Sequence, residues 1–192
     1  MARTQEFDRD EALTGAMGVF WRQGYGGTNM ADLVEATGVA RYGWYNTFGD
    51  KDAIFLAALE RYREFLNRKH LDKLRAPDAD FATIEAHFRL NLKVALRGPL
   101  KGCFACASGS ERGGHDKQVA RAVAAVLEDV RAAFRNAIEN AVGKGQMRDL
   151  PVDTLVDFSV GAMHHLSTLV RSGAPRKEIE AFIDSTLALL NP

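Results

Sequence analysis

Two cysteines, Cys103 and Cys106, stand three residues apart in a C-x-x-C spacing. At the start of a helix, such a pair can have a lowered thiol pKa and act as a redox or electrophile sensor. The nearby Lys101 would help to stabilise a thiolate there. The alternative, and the commoner state of free cysteine, is a pair of small buried apolar side chains. No metal or cofactor is predicted, because the chain has no second C-x-x-C and no spaced pair of histidines to complete a zinc site.

The same two cysteines would be the reactive groups if the protein were a thiol-dependent enzyme or redox carrier. That chemistry needs a base and an orienting group near the thiol. The sequence contains none of the G-x-S-x-G, P-loop, H-E-x-x-H or G-x-G-x-x-G motifs that would support an enzyme. A non-catalytic protein is therefore the prediction, and a thiol enzyme is the alternative.

A second group of side chains could line a small-molecule pocket between helices, where such pockets form in helical bundles. Besides the two cysteines, the candidates are Phe88, Phe104, Phe134, Met163 and His164. His87 and His115 are further candidates. For each of them taken singly, the alternative is a place in the core. His164 is followed by His165, but adjacent helical residues point about 100° apart and cannot bind one metal ion side by side.

The residues best suited to contact DNA are concentrated between Thr28 and Lys51. Apolar spacing predicts a short helix after Thr28, the candidate N-cap, and a break at Gly38, which can adopt the left-handed backbone of a tight turn. A second short helix is predicted over about 40–47. Two helices joined by a short turn with glycine are typical of a helix-turn-helix, whose second helix enters the major groove. A pair of helices that contacts no DNA is the alternative.

The second of these helices carries most of the candidate DNA contacts, which are Arg41, Tyr42, Trp44, Tyr45 and Asn46. Arg41 could bind a guanine edge or a phosphate. Tyr42 and Trp44 could contact thymine methyl groups, with one of the two packing inward instead. The predicted apolar set of this helix is Val39, Tyr42, Tyr45 and Phe48.

Helical periodicity accounts for the rest of the chain, and no segment shows the sustained alternation of a strand. The predicted fold is all-α with about nine helices. A three-helix helix-turn-helix domain, residues 1–50, would precede a helical bundle for ligand binding and dimerisation, residues 51–192. The predicted helices cover about 7–22, 28–37, 40–47, 50–74, 81–97, 103–110, 116–142, 152–172 and 175–190.

Composition limits the partners. The 192 residues are 46% hydrophobic and carry no net charge. Residues 1–51 contain five Lys and Arg against seven Asp and Glu. Non-specific affinity for DNA is therefore expected to be low, because it depends on cations that displace counterions. No stretch approaches the roughly 18 apolar residues of a membrane span, and the polar N-terminus lacks the apolar core of a secretory signal. A cytoplasmic protein with no membrane partner is expected.

The segment from Phe7 to Leu59 resembles the DNA-binding domain of the TetR family of bacterial transcriptional regulators. The matching residues are Val19-Phe20-Trp21-Arg22-Gln23-Gly24-Tyr25, Thr28, Leu33-Val34, Gly38-Val39 and Tyr45-Asn46-Thr47-Phe48-Gly49-Asp50-Lys51. The resemblance implies that Tyr45 and Lys51 contact phosphates, and that Thr28 caps its helix and often touches the phosphate backbone. It covers about a third of the chain. The remainder is similar to the family only in length and helical pattern.

Two residues depart from a well-formed recognition helix. The family usually has Ser or Thr where Ala40 stands, so the usual side-chain cap is absent, at a cost of about 1 kcal/mol. Gly43 lies inside the helix and costs about another 1 kcal/mol relative to alanine. The helix is therefore expected to become fully ordered only on DNA.

The last two helices are expected to form a dimer interface, since residues 152–172 have little polar surface and large apolar faces usually meet a partner. Gly161-Ala162 would allow a partner helix to approach closely. The predicted interface residues are Phe158, Gly161, Ala162, Leu166, Phe182 and Ile183. Completion of the monomer core is the alternative. The resemblance also implies a homodimer, and a two-fold pair of helix-turn-helix units reads two half-sites about one helical turn apart.

These features predict a ligand-responsive transcriptional regulator, most often a repressor in this family. It would bind a palindromic DNA operator as a homodimer and be released by a small-molecule or electrophile effector. The effector would tilt the long helix that begins near Asp50 and so change the separation of the two recognition helices. A thiol-dependent redox protein or enzyme is the first alternative. A helical interaction module with a relic helix-turn-helix is the second.

Overall fold

The computed structural model describes residues 7–98 and 102–192, and within these ranges it contains helices and no strands. The helices are α1 (Arg9–Gln23), α2 (Met30–Thr37), α3 (Arg41–Phe48), α4 (Lys51–Leu66), α5 (Phe81–Arg97), α6 (Phe104–Ser108), α7 (Lys117–Gly143), α8 (Val152–Ser172) and α9 (Arg176–Leu190). The prediction of an all-α fold with about nine helices is confirmed for this part of the chain. None of these helices combines the length and hydropathy needed to cross a bilayer.

Two π-helical turns interrupt the expected pattern. α4 ends at Leu66 and passes into the first turn, Asn67–Leu71, instead of continuing as an α-helix to Leu74. The second turn, Gly109–Gly113, continues α6. Leu71 and Leu74 are nevertheless buried. The apolar spacing in the sequence therefore extended the buried face correctly, although the backbone is π-helical there. π-Helical turns occur frequently at functional sites.

Short polar side chains cap many of the helices. Asp8, Asp50, Asp80 and Asp116 accept hydrogen bonds from first-turn amides of α1, α4, α5 and α7. These caps satisfy amides that have no partner within the helix and place negative charge at its N-terminus. Asp50 thus caps the long helix that was predicted to begin near it.

The cap of α2 is a correction to the sequence prediction. Asn29, not Thr28, occupies this position, and its Oδ1 accepts hydrogen bonds from the amides of Ala31 at 2.7 Å and Asp32 at 3.2 Å. The carboxylate of Asp32 accepts in return from the amide of Asn29 at 2.6 Å, which completes a capping box. Thr28 lies one residue too early for this role.

The apolar core consists of two clusters. The first joins α1–α4 to α6 and the N-terminal half of α7, with Phe20, Phe55 and Phe104 fully buried in it. The second is formed by α5, the C-terminal half of α7, α8 and α9, around Phe134. α6 therefore packs with the N-terminal helices, while α7 spans both clusters.

Candidate functional site

α2 and α3 form the predicted helix-turn-helix. α2 ends at Gly38, whose φ of 70° lies in the left-handed region that favours glycine. Leu33 on α2 is fully buried, as is Trp44 on α3. The Trp44 ring packs against Phe7 and Phe48, with centroids 6.5 Å and 5.2 Å away. The inner face of α3 is thereby fixed on the domain, and its opposite face is left outside.

The outer face of α3 carries four of the predicted DNA contacts. Tyr42 is 75% exposed and Tyr45 is 43% exposed, and Arg41 and Asn46 are exposed as well. The Arg41 guanidinium lies 5.8 Å from the centroid of the Tyr45 ring. Together these residues offer a cation, an amide and two phenols to a ligand, which are groups suited to phosphates and base edges.

The other three predicted contacts lie elsewhere. Trp44 is a correction, because its side chain is fully buried and cannot reach DNA. Thr28 is also a correction: it is 2% exposed, and its Oγ1 donates a hydrogen bond to the carbonyl of Gly24 at 2.7 Å. Lys51 is half-buried, and its Nζ lies 4.0 Å from the centroid of the Tyr25 ring.

Gly43 has a packing role that its helix propensity does not show. A Cβ at this position would lie 3.2 Å from both Phe7 and Val39, which is tighter than ordinary side-chain contact. The glycine therefore lets Phe7 close over the start of α3. Ala40 makes no side-chain cap, in agreement with its sequence.

A cavity of about 240 Å³ lies between α4, α5, α6, α7 and α8. Its wall is mainly apolar and aromatic, with Trp21, Tyr62, Phe65 and Val130 among its members. Of the predicted pocket residues, Cys103, Cys106, Met163 and His164 lie in this wall. Phe88, Phe104 and Phe134 are corrections, since they are fully buried in the two core clusters and pack behind it. His87 also lines the cavity, whereas His115 is exposed on the surface.

The cavity wall also contains polar residues. They are His70, His87, Asn91, Cys103, Cys106, His164 and Ser167, and no Lys, Arg, Asp or Glu belongs to the wall within the described residues. Burial lowers the pKa of His70, and it lowers the pKa of His87 to about 4. Nδ1 of His70 is buried and has no hydrogen-bond partner among the described residues. The cavity therefore suits an uncharged molecule that brings its own hydrogen-bonding group.

We expect His87 to make stability depend on pH. Its pKa is about 4 in the folded protein and ordinary, about 6.5, in the unfolded chain. Between these values the unfolded chain binds a proton that the folded protein does not. The free energy of unfolding should thus fall by about 1.4 kcal/mol per unit as the pH drops through this window. Urea unfolding of wild type and His87→Gln at pH 7 and pH 5 checks this, and an equal pH dependence in both would contradict it.

The two thiols lie where α6 begins. Gly102, with a φ of 67°, brings the chain against α8, and a Cβ there would lie 2.6 Å from the carbonyl oxygen of Ser167. The amide of Cys103 donates to Oγ of Ser167 at 2.6 Å. Sγ of Cys103 accepts from the Tyr62 hydroxyl at 3.3 Å and from the amide of Cys106 at 3.5 Å. Lys101, expected to assist the thiolate, lies outside the described residues.

The hydrogen bonds divide the two thiols into unlike groups. The Cys106 thiol donates to Cys103, and this bond, with those from Tyr62 and the backbone, lowers the pKa of Cys103 to about 6 against the opposing effect of burial. The same bond, with burial, raises the pKa of Cys106. These shifts favour the thiolate at Cys103 and the thiol at Cys106. Only a thiolate is an effective nucleophile.

The segment after the thiols contacts the loop before α2 and the start of α4. The carboxylate of Glu111 accepts hydrogen bonds from the amides of Tyr25 at 2.9 Å and Gly26 at 2.7 Å, in the loop between α1 and α2. The Arg112 guanidinium lies 3.8 Å from the centroid of the Tyr25 ring and pairs with Asp52 at the start of α4. One short segment thus connects the cavity wall to both ends of the helix-turn-helix.

The outer faces of α8 and α9 carry a few exposed small and apolar residues among polar ones. Phe158 is 40% exposed and Gly161 is exposed, and Phe182 is half-buried with its ring 4.7 Å from His165. The other three predicted interface residues are corrections. Ala162, Leu166 and Ile183 face inward and belong to the second core cluster, so they complete the monomer.

The geometry defines a class of protein: a helix-turn-helix whose second helix is exposed, joined to a helical domain that contains a cavity. Comparison with known families is more specific. The model for bacterial regulatory proteins of the tetR family matches residues 12–58, and the model for the tetracyclin repressor-like C-terminal domain matches residues 82–185. The chain belongs to the TetR family of transcriptional regulators.

Individual relatives are similar to this chain over all or nearly all of its length. The chain is 29% identical over 195 residues to the uncharacterized HTH-type transcriptional regulator YezE of Bacillus subtilis, covering 100% of both chains. It is 28% identical to the HTH-type transcriptional repressor ComR of Escherichia coli, covering 97% of this chain and 90% of that one. A cysteine mutant of the TetR family regulator CifR, solved with 26-bp double-strand operator DNA, superposes with a TM-score of 0.83 at 27% identity over 97% of this chain and 98% of its own.

Proposed function

We propose that the protein is a homodimeric repressor that binds a palindromic operator and is released when a small uncharged molecule occupies the cavity. The observation that carries the proposal is the outer face of α3, where Arg41, Tyr42, Tyr45 and Asn46 are exposed together. The structural relative CifR, which binds operator DNA, supports it. The repressor role rests on the similarity to ComR.

The proposed DNA contacts divide by function. Arg41 and Asn46 have side chains suited to reading base edges, and Tyr45 and Lys51 would hold phosphates. Residues 1–50 act as the DNA-binding domain in this proposal, and residues 51–192 as the effector and dimerisation domain. With the net negative charge of residues 1–51, few cations are available, so affinity for unrelated DNA should be low.

Dimerisation would use the outer faces of α8 and α9. A pair of α3 helices related by a two-fold axis would reach two half-sites on one side of the duplex. Phe158 and Gly161 on α8 and Leu189 on α9 lie on this surface, and the two larger side chains are 40% and 53% exposed in the monomer. A second copy of the chain would bury them.

Release would follow from the route between cavity and helix-turn-helix. Tyr62, Phe65 and Leu66 of α4 line the cavity, and the same helix begins at Lys51 beside α3. An effector that binds one position of α4 better than another shifts the population towards it. The coupling between effector and operator is then the difference of the two affinities.

Operator binding is tested with DNA from beside the protein's own gene. We expect a saturable, sequence-dependent shift for the wild type, and Arg41→Ala should weaken it by about 1–3 kcal/mol if Arg41 reads a guanine. Arg121→Ala, which removes an exposed cation from α7, is the matched control and should bind like the wild type. Equal binding to operator and scrambled DNA at low salt would refute the proposal. Repression is checked by a reporter gene, whose expression should rise when the regulator is deleted.

A further inference from the structure

The two cysteines are arranged as a reactive pair. Sγ of Cys103 receives hydrogen bonds from the Cys106 thiol, the Cys106 amide and the Tyr62 hydroxyl. A pair of cysteines that only packed in the core would not require several hydrogen-bond donors to one sulfur. Cys106 lies directly beside Cys103, with its amide 3.5 Å from the Cys103 sulfur, and the raised pKa of its thiol favours the protonated form. It is therefore placed to supply both a sulfur and a proton.

The pair can be reached from two directions. Both cysteines belong to the wall of the apolar cavity, and both also line a groove on the outer side of α6, beside Gln23, Gly24 and Glu111. Both side chains are partly exposed. A small uncharged oxidant can therefore reach Cys103, since the described part of the cavity wall is mainly apolar and contains no Lys, Arg, Asp or Glu.

We propose that Cys103 and Cys106 are a two-electron redox site, which a hydroperoxide converts into a disulfide that weakens operator binding. The regulatory half of this proposal rests on the proposed function, and the chemical half does not. A disulfide is favoured over a simple adduct because an adduct would need only one cysteine, whereas here a second cysteine lies beside the first, with its amide 3.5 Å from the Cys103 sulfur.

The reaction balances with the hydroperoxide as the only reagent besides one proton. The Cys103 thiolate attacks the terminal oxygen of R–O–O–H, the O–O bond breaks, and the leaving alkoxide takes a proton to become an alcohol. Cys103 is then a sulfenic acid. The sulfur of Cys106 attacks that of Cys103, the S–O bond breaks, and the hydroxide leaves as water with the proton of the Cys106 thiol. The two thiols lose two electrons, which reduce the peroxide.

The disulfide would act on the DNA-binding helices through α6. Oxidation removes the thiolate that accepts from the Cys106 amide and from Tyr62, whose side chain is 3% exposed. The first turn of α6 must rearrange, and Glu111 lies in the π-helical turn that continues this helix. A shift of Glu111 would break its hydrogen bonds to the amides of Tyr25 and Gly26 and free the loop before α2.

The chemical half is tested on the full-length protein with cumene hydroperoxide, followed by digestion and mass spectrometry. We expect the peptide 102–112 to become lighter by two hydrogens and to regain them with dithiothreitol. Cys106→Ser should stop at a sulfenic acid that dimedone traps on Cys103, and Cys103→Ser should not react. If wild-type thiols stay reduced, or if Cys106 reacts first, the redox site is refuted.

The regulatory half is tested by operator affinity before and after oxidation. We expect the oxidised wild type to bind about 5- to 150-fold more weakly, the usual range of allosteric coupling, while Cys106→Ser changes less. Glu111→Ala should form the disulfide but lose most of the difference between oxidised and reduced affinity. An unchanged affinity of the oxidised wild type would refute the switch. If the reduced protein fails to bind any operator, the proposed function fails, and the peptide masses still decide the disulfide.

Discussion

Replacement of Trp44 by alanine is expected to lower the free energy of unfolding by about 3–5 kcal/mol. The indole is fully buried between Phe7 and Phe48, and its removal leaves a cavity under a helix of eight residues without a side-chain cap. Domains are stable by about 5–15 kcal/mol in total, so operator binding should be lost along with the fold. Urea unfolding followed by circular dichroism measures the first effect, and fluorescence anisotropy of labelled operator measures the second.

Tyr42→Ala is the matched control for this change, on the opposite face of the same helix. Its side chain is 75% exposed, so stability should stay within about 0.5 kcal/mol of wild type, while operator affinity falls. Comparison of the two variants distinguishes an aromatic residue that stabilises the fold from one that contacts operator DNA. If Trp44→Ala kept its stability and Tyr42→Ala lost it, the orientation of α3 would be the reverse of the one described.

Substitution of Gly161 by glutamate should convert the proposed dimer to a monomer and weaken operator binding by about 10²- to 10⁴-fold, the advantage expected from two linked half-sites. In the monomer a Cβ at Gly161 would meet no atom within 4 Å, and a non-glycine residue favours a helix by about 0.5–1 kcal/mol. The monomer should therefore remain folded. Two facing copies, in contrast, would bury two like charges against each other, which is costly. Sedimentation velocity measures the oligomeric state.

Gly143→Glu provides the control for charge and helix propensity. This glycine ends α7 rather than lying on α8 or α9, and a Cβ there also meets no atom within 4 Å. The variant should remain a dimer with wild-type operator affinity. A dimeric Gly161→Glu protein would show that the copies associate through another surface.

The helix-turn-helix could be predicted because its signals are local. Gly38 ends α2 in the left-handed conformation that the sequence suggested. The prediction of which residues form the inner face of α3 was wrong, however. Residues spaced by three, such as Tyr42 and Tyr45, drift by about 60° per step around a helix of 3.6 residues per turn, whereas Trp44 and Phe48, spaced by four, stay on one face. In so short a helix, the sequence is compatible with an inner face defined by either spacing.

The cavity could not be predicted from the sequence in the same way. A cavity is the volume that side chains from several helices leave unfilled, so it depends on their relative positions rather than on local periodicity. Phe88 and Phe134 are of a residue type that often lines pockets, yet they are buried in the core. Tyr62 and Trp21 belong to the cavity wall instead. Leu166 and Ile183 likewise lie inward because α8 and α9 are apolar on more than one side.

The chain contains two tryptophans. One lies at the cavity and the other in the helix-turn-helix. Trp21 borders the cavity, and its indole Nε1 donates to the carbonyl of Gly102 at 3.2 Å, one residue before the reactive thiol. Trp44 lies on the buried face of α3. Intrinsic fluorescence of the unlabelled protein therefore carries two separate optical signals: quenching at Trp21 would report occupancy or oxidation, and a red shift at Trp44 would report loss of the DNA-reading module.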